Sequence, residues 1–287
     1  MHCFPLTGSS EQRTSIPVFF FVMTILLSWV IWPPGVLVTF GILALQIDDS
    51  IYVLLNVIGG SIPTLVGLSL YYRDGGMPKF KEVLKRSVDP RLIKKLWWLP
   101  LLFLMPLING SAMVLGILTG GAAPNLPFIQ QWYLIPVLFI VGFIPISNAF
   151  REEIGWRGFA IERVQSRQNA LMTSIIIGFV WGIWHLPLYF FPIAMDIYGS
   201  KPFWLFITNT ITLSIIMTWL YNNNNKSIFT GVTFHVALNI TPAIFPFEQA
   251  GLGMYFNMVL LLIVAFFIVL YYGYQTLMKE PEQKTAG

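Results

Sequence analysis

The feature that most constrains the fold is a series of eight apolar runs separated by short polar connections. The runs cover about 16–40, 52–72, 96–119, 132–164, 169–190, 203–221, 228–246 and 255–275. A helix needs ~20 mostly apolar residues to cross the hydrocarbon core of a bilayer, and each run contains such a stretch. Pro33 and Pro34 should end or kink the first helix. The sequence therefore predicts an all-α polytopic membrane bundle of about eight transmembrane helices, with 1–287 forming a single membrane-embedded domain.

Composition excludes the soluble and disordered classes. Only 10% of the residues are charged, 56% are hydrophobic and the mean hydropathy is +0.70. A soluble fold could not bury that much apolar surface, and a disordered chain needs low hydrophobicity and high charge. The net charge of +4 could suggest nucleic-acid binding, but most of the basic residues lie in the connections between the apolar runs. We therefore expect membrane lipids as partners and no nucleic acid.

The basic residues orient the bundle. If the N-terminus lies inside, all 17 Lys and Arg residues except Lys201 fall on the same side, with a dense group at 73–95. Such asymmetry is the positive-inside pattern, so both termini are predicted to be cytoplasmic. The group at 73–95 is interpreted as an orientation signal that contacts lipid headgroups. The chain is expected in a cell membrane, and its compact form favours a bacterial one.

A few polar side chains lie inside the apolar runs, where ionisable groups are costly and usually functional. Once the charges assigned to the connections are set aside, the ionisable residues that remain are Glu152, Glu153, Arg157, His185 and His235, and Asn239 follows His235 by four residues on the same helical face. Glu152 and His185 are equidistant from the connection between the fourth and fifth runs, so they should lie at the same depth. We expect a polar cavity within the membrane, open to the cytoplasm, in a catalytic core at about 132–246.

These residue types suit peptide hydrolysis. A glutamate beside a histidine can activate water, which would assign that work to Glu152 and His185. His235 and Asn239, one helical turn apart, could donate hydrogen bonds to a developing oxyanion. Glu153 and Arg157, at i and i+4, should pair and support the site.

The pattern resembles the CPBP intramembrane protease family. The matching residues are Glu152-Glu153-x-x-x-Arg157, Trp181-x-x-x-His185 and His235-x-x-x-Asn239. The family includes the type II CAAX prenyl endopeptidases and the bacteriocin-processing or self-immunity (Abi) proteins. Its second motif usually begins with Phe, so Trp181 is a departure that we interpret as a packing change. The resemblance implies a glutamate-type intramembrane endopeptidase that uses no metal and acts on a peptide or protein.

Several alternatives remain open on the sequence alone. Glu152, His185 and His235 could instead hold zinc, which would make the protein a metalloprotease. A buried Glu/His cluster also suits a proton- or ion-coupled transporter, and a non-catalytic self-immunity protein could keep the fold. Whether the substrate is lipidated, and what the oligomeric state is, cannot be read from these residues.

Overall fold

The computed structural model describes residues 10–45, 48–199 and 201–279, and helices are the only regular secondary structure within them. In chain order the α-helices are α1 (Ser10–Ile31), α2 (Pro33–Thr39), α3 (Asp49–Val88), α4 (Trp98–Leu118), α5 (Pro127–Gln130), α6 (Ile135–Gly142), α7 (Asn148–Glu153), α8 (Ile161–Gln165), α9 (Ala170–Trp184), α10 (Pro192–Tyr198), α11 (Phe203–Asn223), α12 (Ile228–Ile244) and α13 (Gly253–Tyr272). A π-helical segment, Ile154–Ala160, joins α7 to α8. The two chain ends, predicted to be cytoplasmic, lie partly outside the described residues.

The predicted membrane bundle is confirmed. Six stretches of the described residues are long and apolar enough to cross a bilayer, and they match six of the eight runs. They are Pro17–Thr39, Asp49–Val88, Lys95–Leu118, Ala170–Phe190, Phe203–Asn223 and Gly253–Tyr272. Two shorter apolar helices, Trp132–Gly142 and Ile228–Ile244, fall in the fourth and seventh runs. Large apolar side chains such as Val30, Leu107 and Phe266 point outward, as lipid-facing residues do. The chain is an integral membrane protein.

The fourth run is not the continuous helix that its hydropathy predicts. Its first helix ends at Gly142, and a turn carries the chain to α7, which begins at Asn148. Pro145 lies inside that turn. A proline has no N–H for the helical ladder and disfavours α conformation in the residue before it, so the helix cannot pass through this point. The break places Glu152 on the short helix α7 that follows it, rather than in the middle of one continuous membrane helix.

The basic group at 73–95 is mostly helical rather than a loop. α3 breaks at Gly75 and Gly76, where Gly76 has a φ of 61° that favours glycine, and then continues to Val88. Within this second half, Arg86 donates to Glu162 Oε1 at 2.7 Å and to the hydroxyl of Tyr221 at 2.9 Å. Arg86 therefore joins α3, α8 and α11, a structural role that the charge pattern alone did not indicate.

Two glycines allow the segments that carry the polar residues to pack directly on neighbouring backbones. A Cβ at Gly155 in the π-helical segment would lie 2.3 Å from the carbonyl oxygen of Pro63 in α3. A Cβ at Gly178 in α9 would lie 2.5 Å from the Cα of Ile211 in α11. These crossings set the positions of α7 and α9, which present the site residues to each other.

Candidate active site

The four residues predicted to be catalytic line one cavity of about 400 Å³. Glu152 comes from α7, His185 follows α9, and both His235 and Asn239 come from α12. Glu153 and Arg157 do not line the cavity and are fully buried behind it. The structure thus brings all six predicted residues together, with the supporting pair outside the cavity wall.

Glu152 is held by one hydrogen bond within the described residues. Its Oε2 accepts the indole Nε1–H of Trp181 at 2.8 Å, and the glutamate is only 5% exposed. Its Oε1 accepts no hydrogen bond from a described residue. A buried carboxylate with one oxygen fixed and the other free is arranged to take a proton from a small molecule in the cavity.

His185 has a defined tautomer because of where its helix ends. Pro187 follows closely and α9 stops at Trp184, so the imidazole turns back onto the last turn of the helix. His185 Nδ1 lies 2.7 Å from the carbonyl oxygen of Trp181. Because a carbonyl oxygen can only accept, Nδ1 donates, and Nε2 of the neutral ring carries the lone pair.

A buried network supports His235 from behind. His235 Nδ1 lies 2.7 Å from Glu153 Oε1, and the same oxygen accepts Arg157 Nη1–H at 3.1 Å. Glu153 and Arg157 pair at i and i+4 as the sequence predicts. The bond from His235 to Glu153 was not predicted, because it depends on how α12 packs against α7. With Nδ1 donating to a carboxylate, only a doubly protonated ring also offers an N–H at Nε2.

Trp181 is a polar part of the site, which sequence reasoning missed. Besides its bond to Glu152, its ring lies under the guanidinium of Arg157, with Cζ 4.7 Å from the ring centroid. Its centroid is also 5.7 Å and 5.8 Å from those of His185 and His235. The interpretation of Trp181 as a packing change is therefore incomplete. The signal that was available was the indole N–H itself, one helical turn before His185.

Asn239 offers its amide to the cavity. It is an exposed residue on α12, one turn after His235, and it makes no hydrogen bond to the described residues. Other amides also line the cavity, among them Asn148, Asn209 and Asn257. Asn257 donates to Asn109, which in turn donates to Thr241 and so links α13, α4 and α12. Sequence reasoning identified only the asparagine of the third motif.

The described residues form no ready group of ligands for the zinc alternative. Among the described residues, no three His, Cys, Asp or Glu side chains are grouped so that they could hold a metal ion. Glu152, His185 and His235, the proposed ligand set, share the cavity without forming such a group. We therefore derive no step through a metal.

The cavity extends to an ion pair between two connections of the bundle. Lys201 Nζ lies 2.8 Å from Glu248 Oε1, and both residues line the cavity. Lys201 is the one basic residue that the positive-inside pattern assigns to the external side. If that assignment holds, the cavity reaches toward the external side, which does not agree with the expected opening to the cytoplasm.

Comparison with known proteins agrees with the resemblance. A family model described as type II CAAX prenyl endopeptidase Rce1-like matches residues 130–241, which contain all six predicted site residues. A Methanococcus maripaludis protein named CAAX prenyl protease 2 is 27% identical over 243 residues, covering 81% of this chain and 86% of that protein. These matches support an intramembrane endopeptidase activity that acts on a peptide or protein. The resemblance that the three motifs predicted is confirmed, and the chain is similar to the Rce1-like type II CAAX prenyl endopeptidases.

Proposed function

We propose that this protein hydrolyses a peptide bond within the membrane, with Glu152 and His185 activating the water and His235 and Asn239 forming the oxyanion hole. The observation that carries the proposal is the convergence of these four side chains on one cavity. Each of the first two has an unoccupied basic atom, Oε1 of Glu152 and Nε2 of His185, as judged from the described contacts. Glu152, His185 and His235 are buried, and hydrogen bonds to developing charge are stronger beside buried groups than in water.

The proposed reaction needs no group beyond the substrate, the water and these residues. Glu152 takes a proton from the water while the oxygen of the water forms a bond to the scissile carbonyl carbon. The oxyanion accepts hydrogen bonds from Nε2–H of His235 and from the Asn239 amide. Collapse of the intermediate breaks the C–N bond, and the proton held by Glu152 passes to the leaving nitrogen. His185, with its Nε2 lone pair, orients the water.

Glu153 suits the oxyanion role of His235. Its carboxylate accepts from Nδ1–H and so stabilises the doubly protonated ring, which alone has an Nε2–H to donate. Arg157 pairs with the same oxygen of Glu153 and so holds the carboxylate in place beside His235. In this scheme Glu153 and Arg157 are positioning residues that never touch the substrate.

The name of the M. maripaludis relative makes a prenylated CAAX peptide the first substrate to assay. An unmodified peptide of the same sequence is its matched control, because the two differ only in the lipid. The bacterial source stays a prediction, as does the membrane face on which the cavity opens. Metal-free catalysis is likewise part of the proposal.

The test is peptide cleavage by detergent-purified protein with and without a chelator. We expect the wild type to cleave in both conditions and Glu152→Gln to be inactive. Glu82→Gln, a change at an exposed glutamate paired with Lys79, serves as the matched control and should remain active. Cleavage that persists in Glu152→Gln would overturn the assignment of the base. Activity that is lost with chelator and restored by zinc would overturn the metal-free scheme.

A further inference from the structure

We propose that the indole N–H of Trp181 is a positioning group that holds Glu152 in the orientation needed to activate water. The inference rests on the proposed function, because it assumes that Glu152 is the base. It concerns a feature that distinguishes this chain from the usual second motif, which has a phenylalanine and therefore no donor at this position. Trp181 lines the cavity, but in this scheme its N–H is occupied by Glu152 and so offers no hydrogen bond to the substrate.

The geometry is that of a strong hydrogen bond. Nε1 of Trp181 lies 2.8 Å from Oε2 of Glu152, and the two residues are 3% and 5% exposed. A hydrogen bond to an ionised acceptor is about twice as strong as one between neutral groups, and water competes little for buried partners. Since this is the one described hydrogen bond that Glu152 makes, it decides which oxygen remains free for the water.

The indole is itself held in a single orientation. Arg157 lies over its face at 4.7 Å, and the rings of His185 and His235 meet it edge-on on the cavity side. The donor is therefore fixed before the substrate arrives. Preorganisation of this kind matters because a displacement of about 1 Å in a catalytic group can lower the rate by a factor of roughly 100.

The side chain of Trp181 acts separately from its backbone. The carbonyl oxygen of Trp181 accepts from His185, and that bond does not depend on the identity of the side chain. Arg157 can stack on any aromatic ring. Replacing Trp181 with phenylalanine, the residue usual in the family, should therefore remove the N–H while it leaves the other two interactions in place.

The first test compares turnover in Trp181→Phe with turnover in protein carrying benzothienylalanine at 181. That amino acid has nearly the shape of tryptophan, but a sulfur atom replaces the N–H. We expect both proteins to lose about 10- to 100-fold in kcat with a much smaller change in KM, because the indole N–H bonds to Glu152 and not to the substrate. Values of kcat within about twofold of the wild type in both would overturn the proposal, provided that Glu152→Gln is inactive.

Trp29→Phe is the matched control for these changes. Trp29 also donates its indole N–H, in a partly buried setting, to the carbonyl oxygen of Trp184 at 3.1 Å, but it does not line the cavity. Loss of the Trp29 indole N–H should lower stability without the fall in kcat expected for Trp181→Phe. An equal fall in kcat in Trp29→Phe would show that the effect at 181 is only structural and would overturn the proposal.

A second test does not depend on activity. In protein labelled with ¹⁵N at the indole nitrogens, the resonance that is absent from Trp181→Phe belongs to Trp181. We expect its N–H proton to lie downfield and to move upfield in Glu152→Ala, because the carboxylate acceptor is gone. A resonance that does not move would overturn the hydrogen bond even if Glu152 proves essential. A resonance that moves while Glu152→Gln still cleaves would place the fault in the proposed function instead.

Discussion

Glu153 and Glu152 are neighbours in the chain, but the structure predicts opposite consequences for their replacement by glutamine. Glu153 is fully buried and accepts from both Arg157 and His235. In Glu153→Gln the guanidinium of Arg157 stays in the protein interior without a carboxylate, and its other described hydrogen-bond partner is the sulfur of Met217. Removing one partner of a buried ion pair costs about 3–5 kcal/mol.

Glu152→Gln should leave stability nearly unchanged. The amide oxygen of glutamine can still accept the indole N–H of Trp181, so the change replaces a charge-assisted hydrogen bond with a neutral one. The difference between the two kinds of bond is about 1 kcal/mol. No described salt bridge involves Glu152, so no cation loses a partner at hydrogen-bond distance.

These free energies convert to a clear difference in thermal unfolding. At roughly 2–4 °C per kcal/mol, Glu153→Gln should lower the Tm by about 6–20 °C and Glu152→Gln by no more than about 4 °C. Unfolding can be followed in detergent by intrinsic fluorescence, since the chain has ten tryptophans. The double variant Glu153→Gln/Arg157→Met should be more stable than Glu153→Gln alone, because the unpaired cation is gone.

Equal Tm values for the two single variants would refute this reasoning, because they would show that the network around Glu153 contributes no more than one neutral hydrogen bond. A double variant less stable than Glu153→Gln would refute the attribution to Arg157. Neither result depends on whether the protein cleaves a peptide.

Three further predictions concern the framework. Gly155→Ala should destabilise the protein by about 1–3 kcal/mol, since the new methyl meets a backbone carbonyl, whereas Gly110→Ala makes only ordinary contacts and should be tolerated in the same unfolding assay. Asn109→Ala should lower stability by about 1–2 kcal/mol by breaking the bonds between α4, α12 and α13, and an unchanged unfolding midpoint in the same assay would contradict this. In a Cys3→Ser background, Lys201→Cys should react with an impermeant maleimide outside intact cells; labelling only after permeabilisation would reverse the orientation.

The sequence predicts the site better than it predicts the helices that carry it. Ionisable side chains are rare inside the apolar runs, and the six residues that the sequence singles out lie together in the structure, four of them on one cavity. The break in the fourth run was missed for a physical reason. Residues 143–147 are mainly apolar, so hydropathy treats them as membrane helix, whereas the helix ends because Pro145 cannot join the hydrogen-bond ladder.

The interactions that link separate helices could not be predicted from local patterns. The i,i+4 spacing of Glu153 and Arg157 indicates a pair within one helix, and the structure has that pair. No such rule applies to Glu153 and His235, which are 82 residues apart. The bond between Trp181 and Glu152 likewise depends on the rotation of α9 against α7.

The two adjacent glutamates face different partners because of the geometry of the helix. Successive residues on an α-helix point about 100° apart, so two neighbouring carboxylates cannot face the same partner. Glu152 meets the indole of Trp181 on α9 and borders the cavity, whereas Glu153 points to His235 on α12 and lies behind the wall. One turn of α7 thus positions both the proposed base and the support of the proposed oxyanion hole. Because Gly155 fixes that turn against α3, a shift of this helix would disturb both halves of the site at once.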